Sequence, residues 1–196
     1  MDRLPPVIYR ILPLVCLFAC AGSEPAVAPP SRVAAVGAAK VEARRLDGFC
    51  DQRHAAADAP AFTWPALTGA VPAVEGWHWV NVWATWCGPC VAEMPMLTQW
   101  QQKLSRPERP VTLTFLSFDE EHAKVDRFEK THPELPVGLR LAPGTDPKAW
   151  LPQVGREPTA AIPLHFLLDP AGRVRCVREG AVDPGDLDIL QALIDG

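Results

Sequence analysis

Residues 49–196 are predicted to form an α/β sandwich, a central mixed β-sheet flanked by helices, behind an N-terminal extension. Three observations predict it. From Trp77 onward, apolar runs of strand length alternate with stretches of helical spacing, the pattern of strand–helix–strand units. Two late strand-like runs flank Asp169-Pro170-Ala171-Gly172, a turn that makes them a hairpin. A closing apolar stretch follows Asp183-Pro184, a capping residue with a proline at the first helical position.

In order, Ala61 to Leu67 reads as a short edge strand or hairpin arm, interrupted by Pro65. Trp77 to Trp83 is apolar on both faces, as a strand covered on both sides should be. The helix from about Cys87 to Leu104 carries Leu97, Trp100 and Leu104 at helical spacing. Pro95 lies inside it and is expected to kink it, because its nitrogen cannot donate back one turn. Val111 to Phe118 is the next strand. Asp119 is placed to cap a helix from Glu120 to about Thr131, with Val125 and Phe128 on its buried face. Residues 134–160 give a weaker pattern: a short strand over Leu135 to Leu141 and a short helix over Asp146 to Leu151. Leu164 to Leu168 and Arg173 to Arg178 are the hairpin strands, and Leu187, Leu190 and Ile194 share one face of the last helix.

The chain has 196 residues and a formal charge of −4 with its signs interspersed. That is room for one domain with a sizeable core, and no basic stripe for nucleic acid. No internal repeat is visible. At the start, Arg3 and Arg10 flank a short charged region and Ile11 to Ala21 is apolar. The run is too short to span a bilayer and contains Pro13, so residues 1–19 read as an export signal rather than a permanent membrane helix. Leu17-Phe18-Ala19-Cys20 resembles a bacterial lipobox, which makes Cys20 the expected lipidation site; a plain cleaved signal is the alternative. Acyl chains on Cys20 would hold the protein stably on a membrane. Residues 20–48 are rich in Ala, Pro and Val without periodicity and read as a tether. Such a segment reaches roughly 30 Å coiled and up to ~80 Å as polyproline.

Chemistry concentrates at Trp86-Cys87-Gly88-Pro89-Cys90, where the central strand gives way to a helix. The first thiol sits where unpaired N–H groups and the positive end of the helix dipole favour a thiolate. The second lies one turn further in, placed to close a disulfide on the first. Gly88 permits the tight turn, and Pro89 falls where its missing N–H would have no partner anyway. Cys87 is the expected attacking thiolate and Cys90 the resolving thiol. A zinc site needs a second pair of ligands, and neither the remaining cysteines nor the five histidines show that spacing. Of the six cysteines, Cys16 leaves with the signal and Cys50 and Cys176 remain, an even number in an oxidising compartment. They are expected to pair, with two free buried thiols as the alternative.

Trp-Ala-Thr-Trp-Cys-Gly-Pro-Cys, followed by Val91-Ala92-Glu93-Met94-Pro95, closely resembles the active-site signature of thioredoxin-fold proteins. The lead-in and the Glu-Met-Pro sequel look most like the extracytoplasmic TlpA/ResA-like branch, and the resemblance covers roughly residues 60–195. It implies a thioredoxin fold with an insertion before the hairpin. Pro95 matches the family's kinking proline, and Ile162-Pro163 matches its cis-proline, a place where main chain meets substrate. Trp86 offers a flat apolar contact beside the exposed sulfur. Thioredoxins proper carry a buried Asp six residues before the first Cys; here that place is Asn81, which cannot exchange a proton. Glu93, three residues after Cys90, is then the expected proton acceptor, as in the TlpA/ResA-like branch.

The Gly-Pro dipeptide resembles that of thioredoxins and implies a thiol reductant. Its implied setting is the periplasm, as a monomer tethered to a bacterial membrane. It would take electrons from a membrane thiol donor, act on disulfides of apocytochrome c or another exported protein, and need no cofactor and no metal. The alternatives are a general disulfide oxidant or isomerase, and a copper-handling or non-catalytic binding module on the same scaffold. A peroxidase of the redoxin group resembles a Thr three residues before the reactive Cys; here Ala84 holds that place.

Overall fold

The computed structural model describes Leu46 and residues 48–196. The signal, Cys16, Cys20 and nearly all of the tether lie outside the described residues. Gln52–Arg53 forms β1, Leu67–Thr68 β2, Trp77–Trp83 β3, Val111–Ser117 β4, Leu139–Leu141 β5, Leu164–Leu168 β6 and Val174–Glu179 β7. The helices are α1, Gly88–Leu104; α2, His122–Thr131; α3, Pro147–Trp150; and α4, Leu187–Asp195. These strands join one mixed sheet in the order β1-β7-β6-β3-β4-β5-β2. β3 runs parallel to β4 and antiparallel to β6, and β6 and β7 form the hairpin.

Every residue of β3 is buried, in keeping with a strand that has helices on one side and an aromatic cluster on the other. On one face Trp79 stacks on Trp100 of α1 with ring centroids 6.4 Å apart. On the other, Phe62, Trp150 and Phe166 meet edge to face. The buried stripe of α1 is Cys90, Glu93, Met94, Leu97, Trp100 and Leu104. Each fully buried large apolar side chain there is worth about 1.5–3 kcal/mol. Pro95 lies within the helix.

Three expectations are corrected. Asp119 does not cap α2; the helix begins later, at His122, after Glu121, which makes no side-chain capping bond. The Asp119 carboxylate is instead occupied by Thr85 and Ser117. The strand expected over 135–141 shrinks to β5, because Gly138 enters it with φ +66° and a Cβ there would lie 2.1 Å from the Phe115 carbonyl oxygen. The last helix keeps its expected face: Leu190 and Ile194 are buried together with Leu193, and Leu187 is partly buried against the same core. A 3₁₀ turn over Pro184–Asp186 precedes that helix. In the 61–67 stretch only Leu67 enters a strand, while Ala61 makes a single bridge to Arg173.

Residues just before β1 pack against the domain. Leu46 and Phe49 are both buried in the core, the Phe49 ring lies under the Arg178 guanidinium at 4.7 Å, and Cys50 Sγ is bonded to Cys176 Sγ at 2.01 Å. β1 then pairs with β7, Arg53 opposite Cys176. Among the described residues no helix is long and apolar enough to cross a membrane.

Candidate active site

Parallel β3 and β4 end side by side, and α1 begins just beyond β3. Cys87 is the N-cap residue of α1, extended at φ −90° and ψ 95°, and its Sγ accepts the Cys90 N–H at 3.3 Å. Pro89 occupies the first turn, where no N–H is required. The two sulfurs lie 1.97 Å apart, as a disulfide. Cys87 retains 6 % exposure while Cys90 has none, so a partner can reach only the first sulfur. Trp86 beside it is 67 % exposed, the one exposed large apolar side chain among the described residues.

The bend before Cys87 is pinned from β4. Asp119 is buried and accepts the Thr85 N–H at 2.8 Å, the Thr85 hydroxyl at 2.7 Å and the Ser117 hydroxyl at 2.9 Å. Charge-assisted bonds of this kind are about twice as strong as neutral ones. On the far side the Ile162–Pro163 peptide is cis, and the Ile162 carbonyl oxygen lies 3.6 Å from Cys87 Sγ. Glu179 of β7 holds that loop by accepting the Ala161 N–H at 2.6 Å and by pairing with Arg156. The Ala161 bond, then Arg156, hold the Glu179 carboxyl below the usual range despite partial desolvation. A groove of about 670 Å³ opens beside Trp86, lined among others by Phe118, Glu121, Pro147 and Ile162.

Behind the cysteines lies a buried polar cluster. Glu93, on the buried stripe of α1, accepts from Asn81 Nδ2 at 3.0 Å and from the Val182 N–H at 3.1 Å. His165 Nε2 stands 3.3 Å from Glu93 Oε1. All three side chains are nearly inaccessible: Asn81 0 %, Glu93 4 % and His165 4 %. Asn81 Oδ1 is buried without a protein partner among the described residues.

No family model matches the chain. Among curated proteins it is similar to the thiol–disulfide oxidoreductase ResA of Bacillus cereus, 30% identical over 95 residues, 48% of this chain and 50% of that one. ResA of Bacillus anthracis matches at the same identity and coverage. The chain thus spans about half the length of the curated relatives it matches. Among solved structures, a secreted thiol–disulfide isomerase from Corynebacterium glutamicum superimposes with a TM-score of 0.56 at 22% identity, over 76% of this chain and 95% of that one. A thioredoxin-related protein from Neisseria meningitidis serogroup B gives 0.50 at 23% identity, over 63% and 87%. The chain has the thioredoxin fold.

The structure brings Trp86, Cys87, Gly88, Pro89 and Cys90 to one bend, with Ile162 and Pro163 against it. Glu93 lies behind Cys90 rather than at the surface. Cys50 and Cys176 stand apart from this bend, joining β7 to the residues before β1, and Cys20 is outside the described residues. The five histidines show no metal-ligand spacing in the sequence, and His165 enters the buried cluster through the sheet. The only local signal was a single polar residue in the apolar run Leu-His-Phe-Leu-Leu, every residue of which is buried. Its partner became visible only with the register, in which His165 stands opposite Asn81.

Proposed function

We propose that the chain is a thiol–disulfide oxidoreductase that reduces disulfides of exported proteins. The observation that carries this reading is the division of the Cys pair, Cys87 reachable at a helix N-terminus and Cys90 sealed one turn inside it. In the reduced form the Cys87 thiolate attacks a partner disulfide, releasing one partner thiol and forming a mixed disulfide. Cys90 then gives up its proton, attacks Cys87 Sγ and expels the second partner thiol. Two electrons pass from the Cys pair to the partner, and an outside dithiol must restore them. Trp86, Ile162 and Pro163 form the contact rim, and Glu93 takes the Cys90 proton. Similarity to the thiol–disulfide oxidoreductase ResA supports the exchange chemistry, and the Gly88-Pro89 pair, as in thioredoxins, favours the reducing direction.

We further propose an extracytoplasmic setting, with Cys20 lipidated, residues 20–48 as tether and a membrane dithiol as electron source; the signal-like residues 1–19 and the lipobox support it. Insulin reduction by dithiothreitol tests the activity: the protein should accelerate precipitation, and substituting Cys87→Ser should abolish the effect. Absence of turnover in the wild type, with tight copper(I) binding, would favour the binding-module alternative. A redox titration placing the pair near about −120 mV, the range of strong oxidants, rather than near about −270 mV would reverse the direction.

A further inference from the structure

His165 has no place in the exchange scheme above, yet it is buried where a histidine is costly. As the register partner of Asn81 in the β3–β6 pair, it projects onto the face that α1 covers. Its ring is addressed from both ends. The Trp79 indole donates to Nδ1 at 3.3 Å, and Asn81 Nδ2 also faces Nδ1 at 3.3 Å. An indole N–H only donates, so Nδ1 must be bare and the ring proton sits on Nε2. Nε2 faces Glu93 Oε1 at 3.3 Å, poorly aligned as a hydrogen bond, and has no other partner among the described residues.

We propose that His165 is a positioning residue of the redox site. With its tautomer fixed by Trp79, it presents an N–H to Glu93 and holds that carboxylate as the acceptor of the proton Cys90 releases. The proposal rests on the exchange reading. In the step concerned, the Cys90 S–H proton passes to Glu93, the Cys90 sulfur bonds to Cys87 Sγ, and the bond from Cys87 to the partner sulfur breaks. The partner thiolate leaves with the electron pair and is then protonated. Catalytic hydrogen bonds are often long before the reacting state forms, so the contact with Nε2 is expected to shorten as the proton arrives.

The test reduces the full chain and mixes it with excess 5,5′-dithiobis(2-nitrobenzoic acid), which reports the two steps separately. Attack by Cys87 releases the first thionitrobenzoate, and resolution by Cys90 releases the second. We expect His165→Leu to slow the second phase about tenfold while the first stays within about twofold, the size of one lost charge-assisted hydrogen bond. His165→Gln, which keeps an N–H donor near Nε2, should recover most of the loss. Adding His165→Leu to Glu93→Gln should slow the second phase no further than Glu93→Gln alone. An unchanged second phase in His165→Leu, equal slowing of both phases, or additive effects would each overturn the proposal. Should His165→Leu fail to fold, Trp79→Phe releases the tautomer while keeping an aromatic ring in place. It should slow the second phase alone, and an unaffected second phase there is equally decisive against the proposal. If the wild type itself shows no two-phase reaction and no insulin turnover, the exchange reading has failed, a result distinct from failure of the role given to His165.

Discussion

Severing the Cys50–Cys176 bridge should cost this domain more than any single core truncation. The bridge closes a sequence separation of 126 residues. In the chain-entropy model, 2.1 plus 1.5R times the logarithm of that number is about 16 cal/mol/K, or about 5 kcal/mol at 25 °C. Truncating both cysteines to alanine also removes two buried sulfurs, so the raw loss overstates the bridge. A paired comparison separates the two. Urea unfolding of wild type and of Cys50→Ala/Cys176→Ala should differ by about 5 kcal/mol or somewhat more when oxidised. In excess dithiothreitol, where both proteins have lost the Cys87–Cys90 bond and neither holds the long bridge, the gap should fall to the cost of the sulfurs alone. The oxidised difference corresponds to roughly 10–20 °C in Tm for a domain of this size. The native attachments of β1 survive the change, since Glu179 N–H still reaches Asp51 at 2.6 Å and Arg178 still reaches the Phe49 carbonyl at 3.1 Å. A difference between the two gaps below about 1 kcal/mol would refute the entropy reasoning, and a non-reducing peptide map with both thiols free would refute the bridge itself.

Asp119→Ala strips three donors of their acceptor and should cost about 2–4 kcal/mol in urea unfolding, with Asp119→Asn losing clearly less. His78 is buried and bonded to Thr114 Oγ1 at 2.8 Å, and desolvation lowers its pKa to about 4. Below pH 6.5 the unfolded chain therefore binds a proton that the folded one resists. Its contribution is fully present above pH 6.5 and lost as the pH falls towards about 4, a change of about 3 kcal/mol. His78→Gln should flatten the stability curve across that window, and an unchanged slope would count against the assignment.

How much could be read from the residues depends on how local the cause is. The helix α1, the cysteine pair at its start and the turn at Asp169–Gly172 are fixed by neighbours in sequence, so spacing revealed them. β6 was predicted with its observed bounds because its apolar run and flanking turn are both local. Asp119 was misassigned for the opposite reason: a carboxylate before a helix looks like a cap, and only the parallel β3–β4 pairing brings Thr85 within its reach. The β5 region failed because one glycine's approach to Phe115, a tertiary fact, sets where the strand begins. Likewise the burial of Glu93 follows from helical spacing, whereas its donors come from β3, β6 and the segment before α4, and no local pattern announces that convergence.

The convergence itself argues for chemistry over stability. A buried carboxylate, amide and imidazole are each expensive to desolvate, and apolar residues of similar shape often hold a core as well or better. The prediction is sharp because the two explanations diverge. Glu93→Leu alone leaves the Val182 N–H and the Asn81 amide without their acceptor and removes the carboxylate that faces His165 Nε2, and should cost roughly 3–5 kcal/mol in urea unfolding. The combined Asn81→Leu/Glu93→Leu/His165→Leu variant leaves the Val182 and Trp79 indole N–H groups unpaired but removes the buried amide and imidazole, and should recover at least about 1 kcal/mol of that loss. Release of the second thionitrobenzoate should nevertheless stay slow in the combined variant. If stability and the second phase recovered together, the cluster would be a packing device, and the proton-accepting role of Glu93 would fall with it.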